Sequence, residues 1–127
     1  VRENQAIGIE SLKIAGMVKN RRLAKHIGDA GWGLFGQMLR YKVAASQHAV
    51  LVVADPLWPS TQRCACCGER PVVKQTLKDR RWVCPHCQTE HDRDVNAAIN
   101  LKQLAEYRIA LRDLRGEPER TFLNVKL

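Results

Sequence analysis

The chain has 127 residues, enough for one modest domain and too few for a second full core. Lys and Arg number 21 against 13 Asp and Glu, and the resulting net charge of +8 favours a polyanionic partner, nucleic acid first, over a merely basic surface. No stretch approaches the ~20 apolar residues of a membrane span, and the opening VRENQ carries no apolar signal segment, so the expectation is a soluble, reduced, cytoplasmic protein with no membrane partner.

In chain order, Ala6-Ile7-Gly8-Ile9 is a short apolar run that reads as a buried strand ending on Glu10, which puts a carboxylate at a strand's C-terminal end. Ser11 to His26 reads as a loop or broken helix, and its segment KNRRLAKH offers Lys19, Arg21, Arg22 and Lys25 as candidate phosphate contacts. Asp29 is placed to cap a helix running to about His48. Trp32, Phe35, Leu39 and Val43 form one apolar face of that helix, and Leu34, Met38, Tyr41 and Ala45 a second, so it is expected to be buried on more than one side. Its aromatics are read as core packing rather than as a base-stacking platform. Val50 to Ala54 is the second clear strand, ending at Asp55 and Pro56.

Beyond that strand lie two Cys-x-x-Cys pairs, Cys64/Cys67 and Cys84/Cys87, separated by sixteen residues. That gap falls inside the roughly 15–20 residues of zinc ribbons, and four thiolates can close a tetrahedral zinc site. Disulfides fit poorly with an odd number of cysteines and no secretory segment, and a redox motif would use one pair rather than two. Cys66 reads as a spare thiol, and His86 and His91 as ribbon surface residues rather than ligands. Val72-Val73 and Arg81-Trp82-Val83 read as short ribbon strands. Arg70, Lys74, Arg81 and, just past the ribbon, Arg93 are candidate contacts to nucleic acid.

Asp92 or Asp94 then starts a helix through about Leu111, after which Arg115-Gly116-Glu117-Pro118 breaks the pattern and the last dozen residues read as a loose tail. Ala97, Ala98, Leu101, Leu104 and Ala105 recur at three- and four-residue spacing, and Asp94 shares their face. Its side chain is therefore expected to point toward the structure, where an unpaired charge is costly and a metal ion would compensate it. The plainer reading of Asp94 is an N-cap, with Asp92 competing for that task; the plainer reading of Glu10 is a solvated residue after a strand.

IGIESLKIAGMVKNRRLAKHIGDAGWGLFGQML, then VVADPLWPSTQRCACCG, then WVCPHCQTEHDRDVNAAINL, in this order, resemble the C-terminal part of the OrfB/TnpB proteins of insertion sequences. That family, with the related type V CRISPR effectors, comprises RNA-guided DNA endonucleases. The resemblance implies an α/β fold: a partial RuvC-type, RNase H-like domain of strand, helix, strand and helix with an inserted zinc ribbon. The implied boundaries are 1–58 for its first part, 59–91 for the ribbon, 92–112 for the closing helix and 113–127 for the tail. It implies Glu10 and Asp94 as the second and third catalytic carboxylates and Cys64, Cys67, Cys84 and Cys87 as zinc ligands. Pro59 to Gln62 match the approach to the ribbon, and Arg93 the basic residue between two aspartates. Zn²⁺ is the implied structural metal and Mg²⁺ or Mn²⁺ the catalytic one, with DNA and a guide RNA as partners of the full-length protein.

Such domains begin with a strand hairpin that supplies the first catalytic aspartate, usually as Asp-x-Gly, and the expectation is that this motif is missing here because the chain starts too late for it. The expectation is therefore a C-terminal fragment of a transposon-associated nuclease, inactive or nearly so alone. The rival expectation is a zinc-ribbon module that binds nucleic acid without cutting it. A third makes the ribbon a folding staple, and it is compatible with either.

Overall fold

The computed structural model describes residues 3–11, 31–46, 48–72, 76, 78–117 and 122–125. Its elements are β1 (Ala6–Glu10), α1 (Trp32–Ala44), β2 (Val50–Ala54), β3 (Arg81–Val83), β4 (Glu90–Asp92), α2 (Arg93–Leu114) and β5 (Phe122–Val125). Asp29 and the KNRRLAKH segment lie outside the described residues.

Three strands form a parallel sheet in the order β1-β2-β5, with Glu10 opposite Ala54 and Val52 opposite Leu123. Side chains of successive strand residues alternate between faces, and the apolar run of β2 serves both. Leu51 and Val53 face α1, where Val43 is buried and Leu39, Ile7 and Ile9 pack against them. Val52 faces α2 together with Ala105 and Leu123, with Ala6, Val50 and Ile109 around them. The result is an α/β arrangement of helix, open sheet and helix.

Gly8 sets how closely α2 approaches. A Cβ there would overlap the Leu101 carbonyl oxygen, lie 3.0 Å from the carbonyl carbon and touch Ala105. Only glycine lets the helix backbone rest on the strand.

Several expectations are corrected. Gly31, not Asp29, holds the N-cap position of α1, and the helix stops at Ala44 rather than near His48. The Ser46 hydroxyl oxygen accepts the N–H of Ala49 at 2.9 Å and of His48 at 3.4 Å, which turns the chain toward β2. The second apolar face of α1 is not buried: Leu34, Met38 and Tyr41 are 62, 49 and 75% exposed, and Phe35 of the first face is 56% exposed. Val72 is exposed in a bend, and Val73 lies outside the described residues. The ribbon hairpin instead pairs β3 with β4, Trp82 opposite His91.

At the C-terminal end α2 runs three residues past Leu111 and stops in a glycine cap. Gly116 takes φ 61°, its N–H donates to Asp113, and the Glu117 N–H donates to Arg112. This is the Schellman pattern. The segment after the cap is no loose tail, because Phe122–Val125 adds a third strand and Leu123 is buried under α2. Arg40 of α1 lies 5.8 Å from the centroid of the Phe122 ring, tying β5 to the other layer.

Candidate metal centre and carboxylate site

The two knuckles are built alike. In the first, the Cys64 N–H donates to Glu69 and the Gly68 N–H to Cys64; in the second, the Cys84 N–H donates to Thr89 and the Gln88 N–H to Cys84. Each turn needs a residue at positive φ four places after its first cysteine, supplied by Gly68 at 79° and Gln88 at 61°. The sequence shows no internal repeat, since the shared element is backbone geometry.

These turns bring Cys64, Cys67, Cys84 and Cys87 together with all four sulfurs within 4.8 Å of one another. Cys64 Sγ lies 3.6 Å from Cys87 Sγ, and Cys67 Sγ 3.7 Å from Cys84 Sγ. A disulfide would need about 2.05 Å. A tetrahedron with Zn–S bonds of ~2.3 Å has edges of about 3.8 Å, so the four sulfurs fit zinc closely. Cys66 is exposed and outside the cluster, and His86 is exposed as well.

The thiols are not equivalent. The Thr89 hydroxyl and N–H, directed at the Cys87 sulfur, hold that thiol down at about 6. The Glu69 N–H pulls Cys67 down, yet desolvation and the neighbouring thiols of Cys64, Cys84 and Cys87 outweigh it and push Cys67 up to about 12. Burial pushes Cys64 up. A divalent cation at the centre removes that mutual penalty, because it binds thiolates and releases their protons.

His91 corrects the reading of a ribbon surface residue. It is 8% exposed, lies with its ring centroid 4.7 Å from that of Trp82, and holds Nε2 3.1 Å from Cys64 Sγ. With four sulfurs already matching a tetrahedron, His91 lies outside them as a hydrogen-bond partner of the Cys64 sulfur, the kind of outer contact that would orient a metal ligand. The sequence carried no signal for this, since it follows from the pairing of β4 with β3, which sets His91 opposite Trp82.

The expected carboxylates take different surroundings. Glu10 ends β1, is exposed, and accepts a hydrogen bond at Oε1 from the Ser60 hydroxyl. Asp94 is not turned into the structure as expected: its side chain is 78% exposed and pairs with Arg93 at 3.0 Å. Asp92 is the N-cap of α2, accepting the N–H groups of Asp94 at 3.0 Å and Val95 at 3.1 Å. Asp94 does share the side of α2 that meets the sheet, since Leu101 lies two turns further along it, but α2 starts beyond the sheet and leaves the Asp94 side chain in solvent.

Gly8 lies against Leu101 and Ala105, Asn4 and Ala6 line one cleft with Ile109 and Asp113, and Glu10 meets Ser60, which Asn100 holds, so α2 runs antiparallel to β1. Asp94 lies about 10 Å of helix before Leu101, and Glu10 about 7 Å of strand beyond Gly8. Both lead to the carboxyl end of the parallel sheet, where open α/β sheets bind ligands.

Of the candidate nucleic-acid contacts, Arg70 and Arg81 are exposed, while Arg93 is half-buried and engaged with Asp94. Lys19, Arg21, Arg22, Lys25 and Lys74 lie outside the described residues. The expected absence of an Asp-x-Gly is corrected by the sequence itself: Asp29-Ala30-Gly31 is one, leading into α1 through Gly31, with its aspartate also outside the described residues.

The sequence placed Ser60 only in the approach to the ribbon, and it gave Asn96 and Asn100 no role. Together with His91 they are the buried polar side chains among the described residues.

A family model described as "Cas12f1-like, TNB domain" matches residues 32–101, a stretch that includes the four-cysteine cluster. The chain belongs to that family. It is 45% identical over 101 residues to a "Putative RNA-guided DNA endonuclease" of Streptomyces pristinaespiralis, covering 80% of this chain and 24% of the relative. Two Mycobacterium tuberculosis proteins with the same description are 34% identical over 106 residues, covering 79% of this chain and 22% of each. The chain thus spans about a quarter of the length of these curated relatives, and the likeness to OrfB/TnpB proteins read from its motifs is borne out. Among the described residues no helix is long and apolar enough to cross a membrane.

Proposed function

We propose that this chain carries the C-terminal part of a transposon-associated, RNA-guided DNA endonuclease: the later strands of a RuvC-type, RNase H-like domain with a zinc ribbon inserted at 59–91. Cys64, Cys67, Cys84 and Cys87 are the zinc ligands of this reading. Glu10 and Asp94 are two of the carboxylates that would hold Mg²⁺ or Mn²⁺, and DNA with a guide RNA are the partners of the full-length enzyme.

The observation that carries the reading is the antiparallel run of α2 over β1, which leads two separate carboxylates to the carboxyl end of one parallel sheet. The Arg93–Asp94 pair does not stand in the way, since the Asp94 carboxylate is largely exposed and a divalent cation competes for the same oxygens. In nucleases of this kind the metal ions activate a water and stabilise the leaving oxygen. The chain's own residues hold and orient carboxylates there. The first catalytic aspartate belongs to a further strand, and among the described residues the outer edge of β1 is a free parallel edge open to one.

Two carboxylates of three leave little catalysis, because each ~1.4 kcal/mol of lost barrier lowering costs tenfold in rate. The zinc-loaded chain alone is therefore expected to retard DNA in a salt-dependent gel shift and to leave it uncut in Mg²⁺. Mg²⁺-dependent cleavage abolished by Glu10→Ala would show that the chain suffices as an enzyme. Retardation unaffected by reversing the charge of Arg70 and Arg81 would remove the ribbon from the DNA contact.

A further inference from the structure

We propose that Ser60 is a positioning residue for Glu10, held in place by two buried asparagines of α2, so that folding of the zinc ribbon sets the orientation of the carboxylate. The metal-binding role of Glu10 rests on the function proposed above; the positioning itself is a matter of geometry.

Ser60 is 4% exposed, and its hydroxyl donates to Glu10, fifty residues away in sequence. Its own backbone is fixed on both sides. The Ser60 N–H donates to Trp58 at 2.9 Å, and its carbonyl accepts from Asn100 Nδ2 at 2.8 Å. The hydroxyl that meets Glu10 therefore hangs from an immobilised main chain.

The asparagines explain that immobility. Asn96 and Asn100 stand one turn apart on α2, 1% and 2% exposed. A buried amide is costly unless its donors and acceptor are satisfied, and here nearly every bond goes to one short loop. Both Nδ2 groups donate to the Arg63 carbonyl, at 2.8 and 2.7 Å, and Asn96 Oδ1 accepts the Ala65 N–H at 2.9 Å. Gln103, just beyond them, donates to the Ala65 carbonyl at 3.0 Å. This face of α2 is built to grip residues 60–65, where an ordinary packing helix would present leucines.

Residue 64 of that loop is the first cysteine of the first knuckle. Closing the sulfur cluster and seating Ser60 are thus parts of one event, and the hydroxyl passes it on to Glu10. An exposed glutamate at a strand end otherwise samples several rotamers.

The test monitors the Glu10 side chain by NMR in the full, isotopically labelled, zinc-loaded chain, through the three-bond couplings that report χ1 and χ2. A single rotamer is expected in the parent protein. Averaged couplings are expected in Ser60→Ala, with one bound zinc per chain and unchanged backbone shifts in α2, and again after zinc is removed with a chelator. A single Glu10 rotamer persisting in Ser60→Ala, or averaged couplings in the parent, would overturn the positioning role. Adding Mn²⁺ alone to the parent separates the two readings. Absence of line broadening at Glu10 would count against its role as a metal ligand, while the couplings still decide whether Ser60 positions it.

Discussion

At Gly8 one missing carbon decides how the sheet and α2 meet, because any Cβ would drive into the Leu101 backbone. The obstacle is main chain, which cannot swing aside as a flexible side chain would. Gly8→Ala should therefore destabilise the fold by about 1–3 kcal/mol or more through overpacking, read as a lower urea midpoint; an unchanged midpoint would mean that α2 lifts off β1 freely. Asp92 makes a second single-residue prediction. The N–H groups of Val95 and Asp94 hold its carboxyl below the usual carboxylate range. A depressed acid stabilises the fold above its unfolded value of about 4 and loses that contribution as pH falls through the lower folded value. Asp92→Asn keeps a capping oxygen and should flatten this acid limb, whereas Asp92→Ala should lose the cap at every pH. Urea titrations of the three proteins between pH 2 and 6 would show it, and parallel acid limbs would contradict the assignment.

Among the elements, those whose burial is local were legible in the sequence. β1 and β2 are apolar runs bounded by polar residues, and both occupy the expected positions. β4 was not legible, because Glu90-His91-Asp92 has no strand character and becomes a strand only through its pairing with β3 across the second knuckle. β5 was missed for a related reason: its burial depends on β2, about seventy residues earlier, and on Ala105. The α1 helix shows the opposite error, since its two apolar stripes suggested two buried faces while the sheet covers only the one through Leu39 and Val43. If β5 is integral, Leu123→Ala should cost about 2–5 kcal/mol, as buried leucines do, measured by chemical denaturation. A loss below about 0.5 kcal/mol, the surface level, would return the segment to the status of a tail.

For the molecule as a whole, the four-cysteine cluster was readable because paired Cys-x-x-Cys spacing already implies its geometry. The carboxylates were not readable in that way. Glu10 and Asp94 stand 84 positions apart, and only the parallel sheet with α2 laid antiparallel across β1 leads them to the same end. The asparagine grip on residues 60–65 was hidden for a similar reason, since asparagines in a helical run read as neutral surface residues until a loop is found beneath them. Sheet, helix and ribbon form one unit in which Ser60 touches the carboxylate of β1 on one side and Asn100 of α2 on the other. The most direct test of this account is anomalous diffraction from crystals of the zinc-loaded chain soaked in Mn²⁺. The predicted result is a zinc peak among Cys64, Cys67, Cys84 and Cys87 and a manganese peak at the sheet end contacting Glu10 and Asp94. Manganese elsewhere, or a zinc peak alone at saturating Mn²⁺, would contradict it.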